Sequence, residues 1–274
     1  MGGSGHLADV RLGDRFLSGN AFASEAAFLF PDESRALVHA LLRVEFARME
    51  SERLQLSVSA SELDSALEES RRNILSSLAP EETLDDWAFR RFGRSWQEAQ
   101  VTLQRHLSDN QLYQLCTRSH ALERGRVELQ MLITLDREKA QTWVRKLKTG
   151  ASASAMAVES LDPGPNGDGR LPPLPRELPG DLGNWMAEQP EPGSVFGPFQ
   201  FANERVWRVV LLERFLPPEK DLPPKAVLLE QLRLQPISPL EEEAWFEAMA
   251  NRYNAVENLP AIQAPAAAFV RLSN

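Results

Sequence analysis

The chain has 274 residues, of which 43% are hydrophobic and 25% are charged, a composition typical of a globular protein. Its net charge of −9 and its lack of a basic block argue against a nucleic-acid partner, since phosphate binding depends on clustered cations. No apolar run reaches the roughly 20 residues of a membrane-spanning helix, and the single cysteine, Cys116, excludes an internal disulfide and a multi-cysteine zinc site.

The first part of the chain, residues 7–118, carries mainly helical patterns after a strand-like opening. The opening LADVRLGD predicts a brief strand followed by a turn. Apolar residues then recur at steps of three and four, which is typical of amphipathic helices. Ser59 stands three residues before Glu62, as in a capping box, and Gly93 is placed to end a short helix. We predict helices that begin near residues 32, 59, 82 and 95.

The middle of the chain, residues 126–216, has a different pattern. VELQMLITL and RVWRVVLLERF predict strands, and two helices are predicted between residues 136 and 163. A stretch rich in proline and glycine follows at residues 164–199, and it carries many large apolar side chains. A disordered linker would avoid such residues because it cannot bury them. We therefore predict that this stretch is folded within an α+β module.

The pattern of the last part, residues 217–274, predicts a proline-rich connector, a helix in SPLEEEAWFEAMANRYNAV and a strand-like tail, AAFVRLSN.

The order of these elements and several short motifs resemble the SurA/PrsA-type foldases, which are chaperones with a parvulin peptidyl-prolyl isomerase domain. LLRVEFARMESERLQLSVSASELDSALEE resembles their N-terminal signature. LQMLITL and WRVVLLE resemble the first and last parvulin strands. FVRLSN resembles the terminal strand that, in the family, pairs with the N-terminal strand, here LADVRLG.

This resemblance implies an α+β fold with a helical chaperone-like lobe and an inserted parvulin-like domain. The lobe would be built from residues 7–125 together with the connector, helix and strand of residues 217–274. The inserted domain, residues 126–216, would hold a small antiparallel sheet plus helices.

The resemblance also implies a site. Parvulin domains carry two histidines that face each other across the sheet, a Cys or Asp beside them, and a cluster of large apolar residues. The first histidine position falls on Gln130, the Cys/Asp position on Asp162, and the second histidine position on Trp207, give or take one residue. Gln130 and Asp162 are the candidate catalytic residues. The candidate peptide-binding residues are Met131, Leu174, Leu178, Trp185, Phe196, Phe199 and Trp207.

Each candidate has a structural alternative. Asp162 stands before a proline, where an aspartate commonly forms a turn. Trp207 and the aromatic residues between Trp185 and Phe199 fit a packed core as well as a binding groove. All four histidines, His6, His39, His106 and His120, lie outside the module. No metal site and no cofactor are expected.

The leading functional hypothesis is a chaperone or foldase-like protein that binds unfolded or partner polypeptide segments, with a parvulin module that is weak or inactive as an isomerase. One alternative is an active peptidyl-prolyl cis-trans isomerase. Another is a dedicated accessory protein for one specific partner. The expected partners are unfolded or proline-containing polypeptides, or one specific protein, with no nucleic acid and no membrane span.

The opening MGGSGH resembles an added tag. We expect a periplasmic or cell-envelope location if a signal sequence has been removed, and a cytoplasmic one otherwise.

Overall fold

The computed structural model describes residues 10–12, 15–17, 19–201 and 204–255. The helices are α1 (Gly19–Leu29), α2 (Pro31–Leu54), α3 (Ala60–Ser77), α4 (Leu84–Phe92), α5 (Trp96–Arg124), α6 (Arg137–Lys148), α7 (Ala153–Ala157), α8 (Gly180–Ala187), α9 (Lys225–Leu234) and α10 (Pro239–Arg252). The strands are β1 (Val10–Leu12), β2 (Arg15–Leu17), β3 (Arg126–Thr134), β4 (Leu174–Pro175), β5 (Val195–Phe199) and β6 (Trp207–Leu216).

Local sequence signals set the starts of three successive helices. The side chain of Ser59 accepts a hydrogen bond from the backbone of Glu62, whose carboxylate accepts one in return, so the capping box predicted at α3 is confirmed. Helices α4 and α5 begin with equivalent boxes at Thr83 and Ser95. Helix α4 ends at Gly93, as predicted, in a left-handed conformation with φ of 64°.

Helices from both ends of the chain pack around α5. This helix has 29 residues and a length of about 43 Å. Phe46 of α2 and Cys116 of α5 share one buried cluster with Trp245 of α10. A second buried cluster joins α5 to α9 through Leu122 and Leu228. We call helices α2–α5, α9 and α10 the helical lobe.

Burial raises the pKa of the Cys116 thiol to about 12, so at neutral pH the thiol is protonated and a poor nucleophile.

A buried ion pair ties α10 to α5. Arg118 Nε lies 2.8 Å from Glu241 Oε1, and Arg118 also donates to the carbonyl oxygen of Gln235 at 2.9 Å. Both side chains are at most 5% exposed. The pair therefore fixes the first turn of α10 against the centre of the lobe.

A four-stranded antiparallel sheet is inserted between α5 and α9, in the strand order β4-β3-β6-β5. The central pair runs from Arg126, opposite Leu216, to Thr134, opposite Trp207. Helices α6 and α7 cover one face of this sheet, and α8 covers the other. The predicted α+β class, with a lobe from the two ends of the chain and an inserted antiparallel sheet with helices, is confirmed.

The proline- and glycine-rich stretch is folded, as predicted. It contains β4, α8 and β5, and Leu174, Leu182, Met186 and Phe199 lie in the core of the sheet. These three elements and α1 were not predicted individually from the sequence, and α9 was expected to be part of the connector. Helix α9 follows Pro224, and a proline just before a helix is compatible with its start.

The predicted pairing of the terminal strand with the N-terminal strand lies largely outside the described residues. FVRLSN, the predicted terminal strand, lies there, together with most of its predicted partner LADVRLG. Within that partner, β1 pairs with β2, with Val10 opposite Leu17. In the described part of the chain, no helix combines the length and the apolar character needed to cross a membrane.

Candidate functional site

The two faces of the sheet have different surroundings because neighbouring residues of a strand point to opposite sides. Val127, Leu129 and Met131 of β3 belong to a core cluster with α8. Leu132, which follows Met131 and points to the other side, belongs to the cluster of α6 and α7. We call these the α8 face and the α6–α7 face.

An aromatic row lies on the α8 face. It consists of four side chains, each in contact with the next: Trp185, Phe196, Phe199 and Phe201. The ring of Trp185 stacks on Phe196 with centroids 5.2 Å apart, Phe196 lies 5.0 Å from Phe199, and Phe199 lies 5.5 Å from Phe201. Phe199 is buried, whereas the other three rings are half-buried and remain partly open to solvent.

A bulge in β5 creates this row. Phe196 and Phe199 are three residues apart, so regular alternation would place them on opposite faces. Their partners on β6, Val210 and Arg208, are only two residues apart, and the register shift brings both rings to the α8 face. Gly197 makes the bulge with φ of +118°, where a Cβ would lie 2.7 Å from the carbonyl oxygen of Arg208.

One cation lies beside the aromatic row. Arg208 is opposite Phe199 on one neighbouring strand and opposite Ile133 on the other, so its side chain lies on the α8 face. Its guanidinium carbon is 4.5 Å from the centroid of the Phe201 ring, a cation–π distance, and it forms an ion pair with Glu204. The row therefore combines apolar rings with a charged donor.

Exposed apolar side chains lie at the end of β3. Leu161 donates its backbone N–H to the carbonyl oxygen of Ile133 at 2.8 Å, which brings the segment after α7 alongside the strand. Leu135, Val158 and Leu161 are each more than half exposed. The apolar surface near the sheet thus extends beyond the aromatic row.

The structure places the two candidate catalytic residues in structural hydrogen bonds. Gln130 is 4% exposed on the α6–α7 face, where its amide nitrogen donates to Ser154 Oγ at 2.9 Å and to the carbonyl oxygen of Asp168 at 3.0 Å. Asp162 is exposed, and its Oδ1 accepts the backbone N–H of Gly164 at 2.9 Å, an Asx turn. Both side chains thus hold loop segments in place.

The structure brings six of the seven candidate peptide-binding residues together on the α8 face: Met131, Leu174, Leu178, Trp185, Phe196 and Phe199. Four of them are buried and form the floor, and Trp185 and Phe196 are the half-buried ones. Trp207 lies apart on the α6–α7 face, with the guanidinium carbon of Arg137 5.1 Å from its ring centroid.

Sequence reasoning missed three residues of this surface: Ile133, Phe201 and Arg208. For Arg208 a signal existed. The second histidine position was assigned to Trp207 with a margin of one residue, which includes Arg208, and strand alternation places Arg208 on the face opposite to that of Trp207. Phe201 follows Phe199 at a spacing of two, but it lies beyond the end of β5.

In the described part of the chain, no group of three His, Cys, Asp or Glu side chains is arranged to hold a metal ion.

The class of protein follows from these observations: an α+β protein whose helical lobe comes from both ends of the chain and whose inserted antiparallel sheet carries an aromatic row. No protein-family model matches the chain, and no curated protein matches it.

Several solved structures are similar at low scores. The foldase protein PrsA from Streptococcus pneumoniae has a TM-score of 0.35 and 14% identity, with 92% of this chain and 95% of that chain covered. Peptidylprolyl isomerase (PrsA) from Bacillus anthracis has a TM-score of 0.33 and 15% identity, with 80% and 97% covered. PrsA from Bacillus subtilis has a TM-score of 0.29 and 15% identity, with 92% and 93% covered.

Proposed function

We propose that this protein is a chaperone or foldase-like protein that binds unfolded or partner polypeptide segments, and that its sheet module has little or no isomerase activity. The observation that carries the proposal is the aromatic row, with three half-buried rings on a folded floor. Aromatic rings bury large apolar area with little loss of rotamer freedom, and they favour contact with prolines and other apolar side chains.

A second apolar surface supports binding of extended segments. At the start of the helical region, α1, α2 and the residue between them expose five large apolar side chains: Phe28, Leu29, Phe30, Leu37 and Leu41. Large exposed apolar surfaces mark interaction sites in many proteins.

The arrangement of the polar groups favours binding over catalysis. The amide of Gln130 is buried and hydrogen-bonded, and the carboxylate of Asp162 caps its own turn. No histidine lies between residues 126 and 216. The carboxylate nearest to the aromatic row, that of Glu204, is held in an ion pair with Arg208, so the row offers mainly apolar contact.

Truncating the two half-buried rings at the Trp185 end of the row is expected to weaken peptide binding. The probe is a short fluorescein-labelled peptide that carries Leu-Phe-Pro in a Gly/Ser background, and the measurement is fluorescence anisotropy. The double variant Trp185→Ala/Phe196→Ala should bind about tenfold more weakly or worse, because buried aromatic anchors dominate such interfaces.

The matched control is Phe89→Ala, which removes an exposed aromatic ring from α4 in the helical lobe. Its affinity for the short peptide should equal that of the parent protein. Equal affinity of the double variant and the parent would overturn the proposal. Binding of several unrelated unfolded proteins would support a general chaperone, whereas binding of one protein alone would support an accessory protein dedicated to that partner.

We expect no substantial acceleration of proline isomerisation. The measurement is the cis-to-trans exchange rate of the same peptide by NMR, with and without the protein. Asp162→Asn retains the turn acceptor, whereas Asp162→Ala removes it, and neither should change the rate. Strong acceleration by the parent protein that both variants abolish would show an active isomerase instead.

A further inference from the structure

Arg208 is an unusual residue for its position. It stands in the middle of an antiparallel sheet, flanked by Ile133 on β3 and Phe199 on β5. Its side chain is only 11% exposed. Arginine is rarely buried to this extent unless its donors are fully paired.

The donors of Arg208 are only partly used. Nη2 pairs with Glu204, four residues earlier. Nη1 is buried and has no hydrogen-bond acceptor among the residues that the structure describes. Arg214 on the same strand differs, since two of its nitrogens donate to both carboxylate oxygens of Glu128. A buried donor without an acceptor is costly, so the Nη1 group calls for an explanation.

The charge around this donor indicates the kind of acceptor. Glu204 already balances the positive charge of the guanidinium, so a second carboxylate would be repelled by the first. A neutral carbonyl oxygen avoids this repulsion. The ring of Phe201 lies over the guanidinium and is half-buried, so a peptide carbonyl that approaches from the aromatic row would have to displace this ring.

We propose that Arg208 anchors the main chain of a bound polypeptide, with Nη1 donating to a backbone carbonyl while the apolar side chains of the segment pack on the aromatic row. This inference rests on the proposed function, and it adds a specificity rule. Every residue carries a backbone carbonyl, so the site selects apolar segments without requiring a particular polar residue.

The test combines a protein variant with a change in one peptide carbonyl. Arg208→Met alone would leave Glu204 unpaired, so the variant is Arg208→Met/Glu204→Gln. The matched control is Arg214→Met/Glu128→Gln, which removes the exposed ion pair of the same strand. The peptides are the Leu-Phe-Pro probe and versions in which one amide at a time is a thioamide, a weaker acceptor. Thermal unfolding is measured first, and both variants should unfold cooperatively like the parent protein.

We expect the Arg208→Met/Glu204→Gln variant to bind the parent peptide about tenfold more weakly, and the control variant to bind it normally. One thioamide position should weaken binding to the parent protein by a similar factor and have no further effect on the variant. Such non-additivity identifies a direct contact.

Three results would overturn the inference. Unchanged affinity of the variant is the first, and additive effects of variant and thioamide are the second. The third is tighter binding of an Asp-containing peptide that disappears in the variant, which would make the acceptor an acidic side chain. If binding depends on Trp185 and Phe196 but not on Arg208, this inference alone fails. If the parent protein binds no apolar peptide, the proposed function fails with it.

Discussion

Replacing Gly183 with alanine is expected to destabilise the protein by about 3 kcal/mol and to weaken peptide binding by about tenfold or more. Gly183 lies inside α8, where intrinsic propensity favours alanine by about 1 kcal/mol. The carbonyl group of Leu178 folds back over this position, however, and a Cβ would overlap its oxygen and lie 2.7 Å from its carbon. The substitution therefore pushes α8 away from the sheet, and Trp185 moves with it.

Urea unfolding and the anisotropy assay measure the two effects. The control is Gly180→Ala in the same helix, where φ is +63° and a Cβ would meet no other atom within 4 Å. An alanine there bears only the cost of a left-handed conformation, about 1 kcal/mol. A more stable Gly183→Ala protein would mean that Leu178 does not press on the helix.

Removing the buried cation of the helical lobe is expected to cost about 3–5 kcal/mol. Arg118→Met leaves Glu241 as an unpaired charge that is 3% exposed, and it removes the donor that satisfies the carbonyl oxygen of Gln235. The free energy of unfolding from urea titrations, with an unchanged slope, is the measurement.

The double variant Arg118→Met/Glu241→Gln should recover most of this loss, because the stranded charge is gone. Arg214→Met breaks an exposed ion pair and should leave the urea midpoint nearly unchanged, since solvent screens such pairs. Equal destabilisation by Arg118→Met and by the double variant would show that the unpaired charge of Glu241 is not the cause of the loss.

The helices of the lobe were predictable where their signals are local. Ser59 and Glu62 lie within one turn of each other, and their reciprocal hydrogen bonds stop the chain from extending the helix backward. Gly93 ends α4 for an equally local reason, its left-handed backbone. The strands β3 and β6 were also predictable, because their apolar residues form long continuous runs.

The elements that escaped prediction have weak local signals. Helix α8 contains Gly180 and Gly183, and its stability comes from burying Leu182 and Met186 against the sheet. Strand β5 is interrupted by Gly197 and Pro198, so its sequence resembles a loop until β6 lies beside it. In both cases contacts with distant residues outweigh intrinsic preference.

The candidate site divides in the same way. Three of the four residues of the row, Trp185, Phe196 and Phe199, were predictable, because so many large side chains in a proline-rich stretch have to be buried somewhere. Which side of the sheet each residue faces was not, since a one-residue shift in register moves a side chain to the opposite face. Trp207 and Arg208 illustrate this, because adjacent positions place one beside α6 and the other beside the aromatic row.

Composition, apolar periodicity and caps were thus enough to specify an α+β chain with a folded middle, because these signals act between residues a few positions apart. The aromatic row, the bulge at Gly197 and the half-paired Arg208 depended on the packing of β5 against β6 and of α8 against both. These features could not be read from local sequence because they depend on the pairing register of the strands. The register is set by contacts between segments that are distant in the chain, and no single segment encodes it.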